Sequence, residues 1–143
     1  MFQYNDAIKQ IAIPSSITSI GDGAFNGCRS LTQISISSSV TSIVNDAFAK
    51  CISLTQITIP SSVTSIGNSC FYYCINLQQI IFTSSTCSIG SDCFIVCWSL
   101  TQFAIPSSLS LIHGNIFASC VILEKITILR NEEERIKYFE DIF

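Results

Sequence analysis

Charge is the scarcest commodity in this sequence. Asp, Glu, Lys and Arg together make up 12% of its 143 residues, about half the ~25% of an ordinary soluble domain. Histidine, tryptophan and methionine each occur once and proline three times. One histidine and few acids leave no catalytic triad, no working carboxylate pair and no histidine-based metal cluster. No glycine-rich loop has the spacing that cradles phosphate. No apolar run reaches the ~18 residues of a membrane-spanning helix. None of the seven Asn residues stands in an Asn-x-Ser/Thr sequon, which argues against N-glycosylation. The first ten residues lack the apolar core of a signal peptide, and this points to the cytosol.

The few charges are unevenly placed. Residues 1–130 carry five acids and five bases, so the net charge of −3 resides in residues 131–143. A neutral body offers nothing to a phosphate backbone and excludes nucleic acid as the expected partner. Hydrophobic residues make up 48% of the chain, enough to build a real core and to exclude disorder.

What the sequence has in abundance is regularity. Phenylalanine recurs at 2, 25, 48, 71, 94 and 117, cysteine at 28, 51, 74, 97 and 120, and leucine at 31, 54, 77, 100 and 123. Each series advances by 23 residues, which marks a solenoid whose units bury their apolar sides only by stacking. We divide it into a half coil 1–10, full coils 11–33, 34–56, 57–79, 80–102 and 103–125, and a final strand 126–128. Together residues 1–130 form the solenoid domain. The joins read Leu31-Thr-Gln-Ile34-Ser-Ile36, an L-x-x-L-x-L pattern whose alternation and β-branched residues predict a strand. Pro14-Ser15-Ser16 is a turn signal that recurs at Pro60 and Pro106. Ile17-Thr18-Ser19-Ile20 predicts a second short strand, and Gly21, Gly67 and Gly90 mark a corner. In Ala24-Phe25-Asn26-Gly27-Cys28 the core residues fall one and three apart, which predicts one helical turn per coil.

The stretch Ile59-Pro60-Ser61-Ser62-Val63-Thr64-Ser65-Ile66-Gly67, followed by Phe71, Cys74 and Leu77, resembles the BspA-like subfamily of leucine-rich repeats. The resemblance covers residues 2–128. It implies a β-rich, right-handed solenoid and a non-enzymatic protein, often on a cell surface, that binds host or matrix proteins. Coil four departs most from the pattern, at Phe82, Thr86 and Cys87, and coil five departs at Leu111 and His113.

The two ends differ. Met1–Gln10 is the second half of a coil with no capping element before it, which points to a truncated chain and leaves an edge through which copies can stack. At the other end, Asn131 and Glu134 form a capping-box pattern, and Ile136, Phe139 and Phe143 share one helical face, with Ile142 beside it. Residues 131–143 are therefore expected to form an amphipathic cap helix. The alternative is a helical peptide that docks on a partner.

Eight cysteines invite a chemical reading. Cys70/Cys74 and Cys93/Cys97 are C-x-x-x-C pairs one coil apart, whose four thiolates are able in principle to hold zinc. The plainer reading is that they pack as small hydrophobes, since Ala24, Ala47 and Ile116 occupy the site of Cys70 and Cys93. Side chains in a ladder point in parallel, which disfavours disulfides and predicts reduced thiols. We expect no metal and no cofactor. His113 stands where other coils have Gly or Val, and is read as a corner residue.

Two surfaces are candidate binding sites for a protein partner. On the outer side of the main strand ladder lie Gln33, Gln56, Gln79 and Gln102, then Ser35, Thr58 and Ile81, an uncharged face suited to hydrogen bonding with a protein or a glycan. The other surface breaks the repeat. Where coil one has Asn26, Gly27 and Arg29, coils three and four have Tyr72, Tyr73 and Ile75, then Ile95, Val96 and Trp98. Exposed apolar clusters of this kind mark interfaces, and Tyr and Trp are favoured at hot spots. The expected function is protein binding, with stacking of copies through the N-terminal end as the alternative.

Overall fold

The computed structural model describes residues 2–83, 87–106, 116–130 and 133–137. Among the described residues eleven strands follow one another, the first ten in a parallel β-solenoid. The longer strand of each coil belongs to the main ladder: β1 (Gln10–Ala12), β3 (Gln33–Ser35), β5 (Gln56–Ile59), β7 (Gln79–Phe82), β9 (Gln102–Pro106) and β10 (Lys125–Arg130). Between them lie the two-residue strands β2 (Ser19–Ile20), β4 (Ser42–Ile43), β6 (Ser65–Ile66) and β8 (Ser88–Ile89), which pair in that order into a four-stranded parallel sheet. The last strand, β11 (Glu133–Lys137), follows β10.

Register repeats the 23-residue step. Ile11 pairs with Ile34, Ile57 with Ile80, Phe103 with Ile126, and Ile43 with both Ile20 and Ile66. Like therefore sits over like, and a slip of one residue would turn every apolar side chain outward. The interior holds no buried polar or charged residue among those described. Its centre is the phenylalanine column. Phe25, Phe48, Phe71, Phe94 and Phe117 are at most 2% exposed, with successive rings 5.4–5.7 Å apart and within 15° of parallel. Each such contact contributes about 0.5–1.5 kcal/mol beyond the area it buries. In coil five Phe103 replaces the usual Ile, and its ring lies 4.8 Å from Phe94.

The segment around each column phenylalanine is not the helical turn that the spacing predicts. It is a run of successive tight turns. Ala24, Asn26 and Cys28 donate to the carbonyls three residues earlier, while Gly23, Phe25 and Gly27 donate to Asn45, Ala47 and Ala49 of the next coil. Every second amide thus serves the stack, which a helix cannot allow because it spends its amides within itself. The geometry requires left-handed backbone at two places per coil. Coil one meets it with Gly23 and Gly27, coil two with Asp46 and Lys50, coil three with Ser69 and Tyr73, and coil four with Asp92 and Val96.

The other expectation that fails is the C-terminal helix. Glu133–Lys137 is a strand, antiparallel to β10, with Arg130 opposite Glu133 and Ile126 opposite Lys137. The last parallel strand of a solenoid leaves a row of unpaired amides and carbonyls, and pairing along that row outweighs a capping-box pattern worth ~1 kcal/mol. Phe139, Ile142 and Phe143 lie outside the described residues.

Candidate functional site

The corner after each short strand shows how tightly the coils close. Asn45 accepts the Asn68 amide through its side-chain oxygen at 2.9 Å, and Asn68 accepts the Ser91 amide in the same way at 2.9 Å. This draws the following coil inward until a Cβ on Gly67 would lie 2.5 Å from the Asn45 nitrogen, and one on Gly90 2.6 Å from the Asn68 nitrogen. Only glycine fits. Where the preceding coil has Asp22 instead of Asn, the next coil tolerates Val44.

This close stacking leaves the cysteines no chemical freedom. All eight are unpaired and buried. The ladder thiols of Cys51, Cys74, Cys97 and Cys120 donate to the carbonyls of Phe25, Phe48, Phe71 and Phe94 in the coil before, at 3.1–3.3 Å. The thiol is thus a small apolar group with one directed proton, and this adds to the packing role read from the sequence. Burial pushes Cys51 and Cys93 up to about 12 and Cys87 and Cys120 up to about 11, and it holds Cys70, Cys74 and Cys97 well above the ordinary thiol value. Nucleophilic chemistry needs the thiolate, which burial disfavours. Among the described residues no group of three or more His, Cys, Asp or Glu is placed to hold a metal ion. His113 lies outside them.

The outer surface is more informative. Tyr73 and Trp98 are 37% and 44% exposed, and their ring centroids lie 6.0 Å apart. Tyr72 sits 6.1 Å from Tyr73 and, like Ile75, Ile95 and Val96, is half-buried. The left-handed residues Tyr73 and Val96 are part of this same group. Such backbone is unfavourable for a β-branched side chain like that of Val96. One coil further on, Val121 is 73% and Ile122 47% exposed, which extends the apolar surface. Ile122 was missed from sequence, although a signal existed: its counterparts are Ser30, Ser53, Asn76 and Ser99.

On the main ladder Gln33, Gln56, Gln79, Gln102, Ser35, Thr58 and Ile81 are all exposed, as their outward positions require. A shallow cleft of about 290 Å3 crosses this face, lined by Thr55, Gln56, Gln78, Gln79, Thr101 and Gln102. A larger hollow of about 780 Å3 lies on the side of coil one turned away from coil two, and Ile11, Ile13, Pro14, Ile17 and Ile20 line it. Among the described residues no helix is long and apolar enough to cross a membrane.

Parallel strands at a 23-residue step, a leucine ladder and a stacked aromatic spine define a leucine-rich-repeat solenoid. A family model for the BspA type leucine rich repeat region matches residues 1–136 in six copies, and the chain belongs to that family. Among solved structures it is similar to a leucine-rich repeat protein of T. pallidum, with a TM-score of 0.84 at 30% identity over 87% of this chain. It is also similar to the pneumococcal vaccine antigen PcpA, with a TM-score of 0.78 at 26% identity over 85% of this chain. A third is a leucine-rich repeat protein from Eubacterium ventriosum, with a TM-score of 0.74 at 27% identity over 82%. The chain spans 58%, 30% and 32% of those three proteins. No curated protein is significantly similar to it in sequence.

Proposed function

We propose that the chain is a non-enzymatic protein-binding module that works in adhesion at a cell surface, through the edge formed by Tyr72, Tyr73, Ile75, Ile95, Val96, Trp98, Val121 and Ile122. The observation that carries this reading is the departure from the repeat. Within the turn segments of coils three to five the inward Phe71, Phe94 and Phe117 and Cys74, Cys97 and Cys120 keep the repeat, while the outward positions of the same segments exchange Asn, Gly and Arg for Tyr, Trp, Ile and Val. Exposed apolar area of this kind is costly to keep in water, and on soluble proteins it marks interfaces. The vaccine antigen among the structural relatives agrees with a surface role.

The single tryptophan makes the test direct. Trp98 is 44% exposed, so its emission will shift to the blue and resist acrylamide quenching when a protein covers it. Candidate matrix proteins are titrated against the chain and against Tyr73→Ser with Trp98→Ser, the latter followed by an immobilised-partner assay. Loss of binding in the double variant with an unchanged circular-dichroism spectrum supports the edge, and an unchanged isotherm rules it out.

A further inference from the structure

We propose that the cleft on the main ladder is a second, independent binding site, for a neutral linear glycan lying across the coils. Three observations carry it. The first is composition. The cleft is lined only by Thr55, Gln56, Gln78, Gln79, Thr101 and Gln102, all amides and hydroxyls, with no charged group among them. Such a surface gains nothing from an anionic or cationic ligand, whereas each amide offers a donor and an acceptor together. That is what a sugar hydroxyl, itself donor and acceptor, requires.

The second is availability. Among the described residues no hydrogen bond engages the side chains of these six. The Thr55 carbonyl instead takes the amides of Gln78 and Gln79, which fixes the backbone beneath them. The cleft therefore presents solvent-accessible polar side chains that no bond within the fold engages, free to bond a ligand. Its volume, about 290 Å3, falls just below the roughly 300–1,000 Å3 of drug-sized ligand sites.

The third is period. Gln56 pairs in register with Gln79, an interval of about 4.8 Å, and Gln102 holds the equivalent position one coil on. An extended chain of pyranose rings advances by a similar length per ring, so that successive rings fall over successive coils. Beside the amides runs a second outward row, Thr58, Ile81 and Ala104, in which Ile81 is 38% exposed. That row offers apolar contact to the C–H face of a ring. An extended peptide fits less well. Crossing the strands at right angles, it would meet side chains instead of a backbone edge, and the cleft has no apolar pocket for its side chains.

The test is calorimetric titration of the whole chain with cellobiose, cellotetraose, cellohexaose and mannohexaose, with a heparin hexasaccharide as the anionic comparison. Affinity should rise at least tenfold from the disaccharide to a tetrasaccharide, level off at the hexasaccharide, and be unchanged between 50 and 500 mM NaCl. Gln79→Ala with Gln102→Ala, both exposed and free of structural bonds, should weaken it at least tenfold with no change in melting temperature. Tyr73→Ser with Trp98→Ser should leave it intact, which separates this site from the protein-binding edge. Three outcomes would each overturn the proposal: no heat with any neutral oligosaccharide at millimolar concentration, equal affinity in the glutamine double variant, or preferential binding of heparin with salt dependence.

Discussion

Replacing Gly67 by alanine tests the stacking argument at its tightest point. Backbone conformation is not the issue, because Gly67 does not lie in the left-handed region. On that ground alone alanine would stabilise by about 0.4–1 kcal/mol, through reduced freedom in the unfolded chain. Space decides otherwise. The new Cβ would lie 2.5 Å from the Asn45 nitrogen and 2.7 Å from the Val44 carbonyl carbon, both backbone atoms that cannot swing aside. Forced expansion of a packed site costs typically 1–3 kcal/mol. Moving the coils apart also strains the 2.9 Å bond from the Asn68 amide to the Asn45 side chain, worth about 0.5–1.5 kcal/mol. The net expectation is a loss of about 2–3 kcal/mol, or roughly 5–10 °C in melting temperature for a chain of this size. Gly21 is the control, since a Cβ there meets nothing within 4 Å, and Gly21→Ala should be neutral or slightly stabilising. Urea unfolding followed by circular dichroism measures both. Asn45→Asp combined with Gly67→Val recreates the Asp22–Val44 corner and should show a favourable coupling of at least ~1 kcal/mol in a double-mutant cycle. If Gly67→Ala proves as stable as Gly21→Ala, or the two sites are additive within error, the account of the corner is wrong.

Other expectations follow from the core and the turns. Because burial raises the cysteines above the ordinary thiol value, to about 12 for Cys51 and Cys93, the unfolded chain releases thiol protons first as pH rises. Their contribution to stability is complete below about pH 9 and is lost above it, by about 1.4 kcal/mol per buried thiol per pH unit. Urea midpoints measured from pH 8 to pH 11 should fall steeply, and a flat profile would contradict the burial. At pH 8 the folded chain should leave a thiol-specific chromogenic disulfide unreacted until denaturant is added. Lys50 holds left-handed backbone at φ 59° while exposed, so Lys50→Gly should gain about 0.5–1 kcal/mol in thermal unfolding. Phe71→Ala should cost about 3–5 kcal/mol by opening the centre of the column, whereas Trp98→Ser should stay within about 0.5 kcal/mol.

The repeat was legible because stacking makes every coil repeat the same apolar choices. Phe25, Phe48, Phe71, Phe94 and Phe117 declared the period, and the structure places them in one buried column. Strand positions were legible for the same reason. The turn segment was not, because one-and-three spacing of Ala24, Phe25 and Cys28 fits a helical turn and a run of tight turns equally well. What separates the two is the inter-coil hydrogen bonding of Phe25 and Gly27, and single-chain periodicity carries no trace of it. The weak hint was Gly23 and Gly27 themselves, suited to left-handed backbone, but Asp46 and Lys50 hide it in the next coil. Residues 133–137 were misread because helix-cap chemistry is local, while the unpaired edge of β10 is a property of the assembled stack. In the candidate surfaces, Tyr73, Trp98 and the glutamine row were legible as outward positions. Ile122 was not singled out, because one change in the last coil looks like the decay of a repeat at its end.

The same physics that makes the core uniform explains where recognition can reside. Inward positions face their own copies above and below, so a change at one disturbs three coils. The corner positions are coupled in pairs, Asn45 with Gly67 and Asn68 with Gly90. Outward positions on the ladder and the turn segment face only water and lateral neighbours, so each coil can vary there at small cost to stability. A residue that breaks the repeat outwardly while the inward pattern stays intact is therefore not explained by folding. Tyr73 and Val96 go further, because they place bulky side chains on left-handed backbone that Gly27 occupies without strain in coil one. Backbone strain of about 1–3 kcal/mol persists only where the surrounding structure holds it, and stacking supplies that hold. Replacing Val96 by Gly should therefore relieve strain at the expense of apolar surface. The expected result is a melting temperature unchanged or raised, with weaker binding through the Tyr73–Trp98 edge. A variant that loses stability yet binds as tightly as before would show that Val96 serves the fold and not the interface.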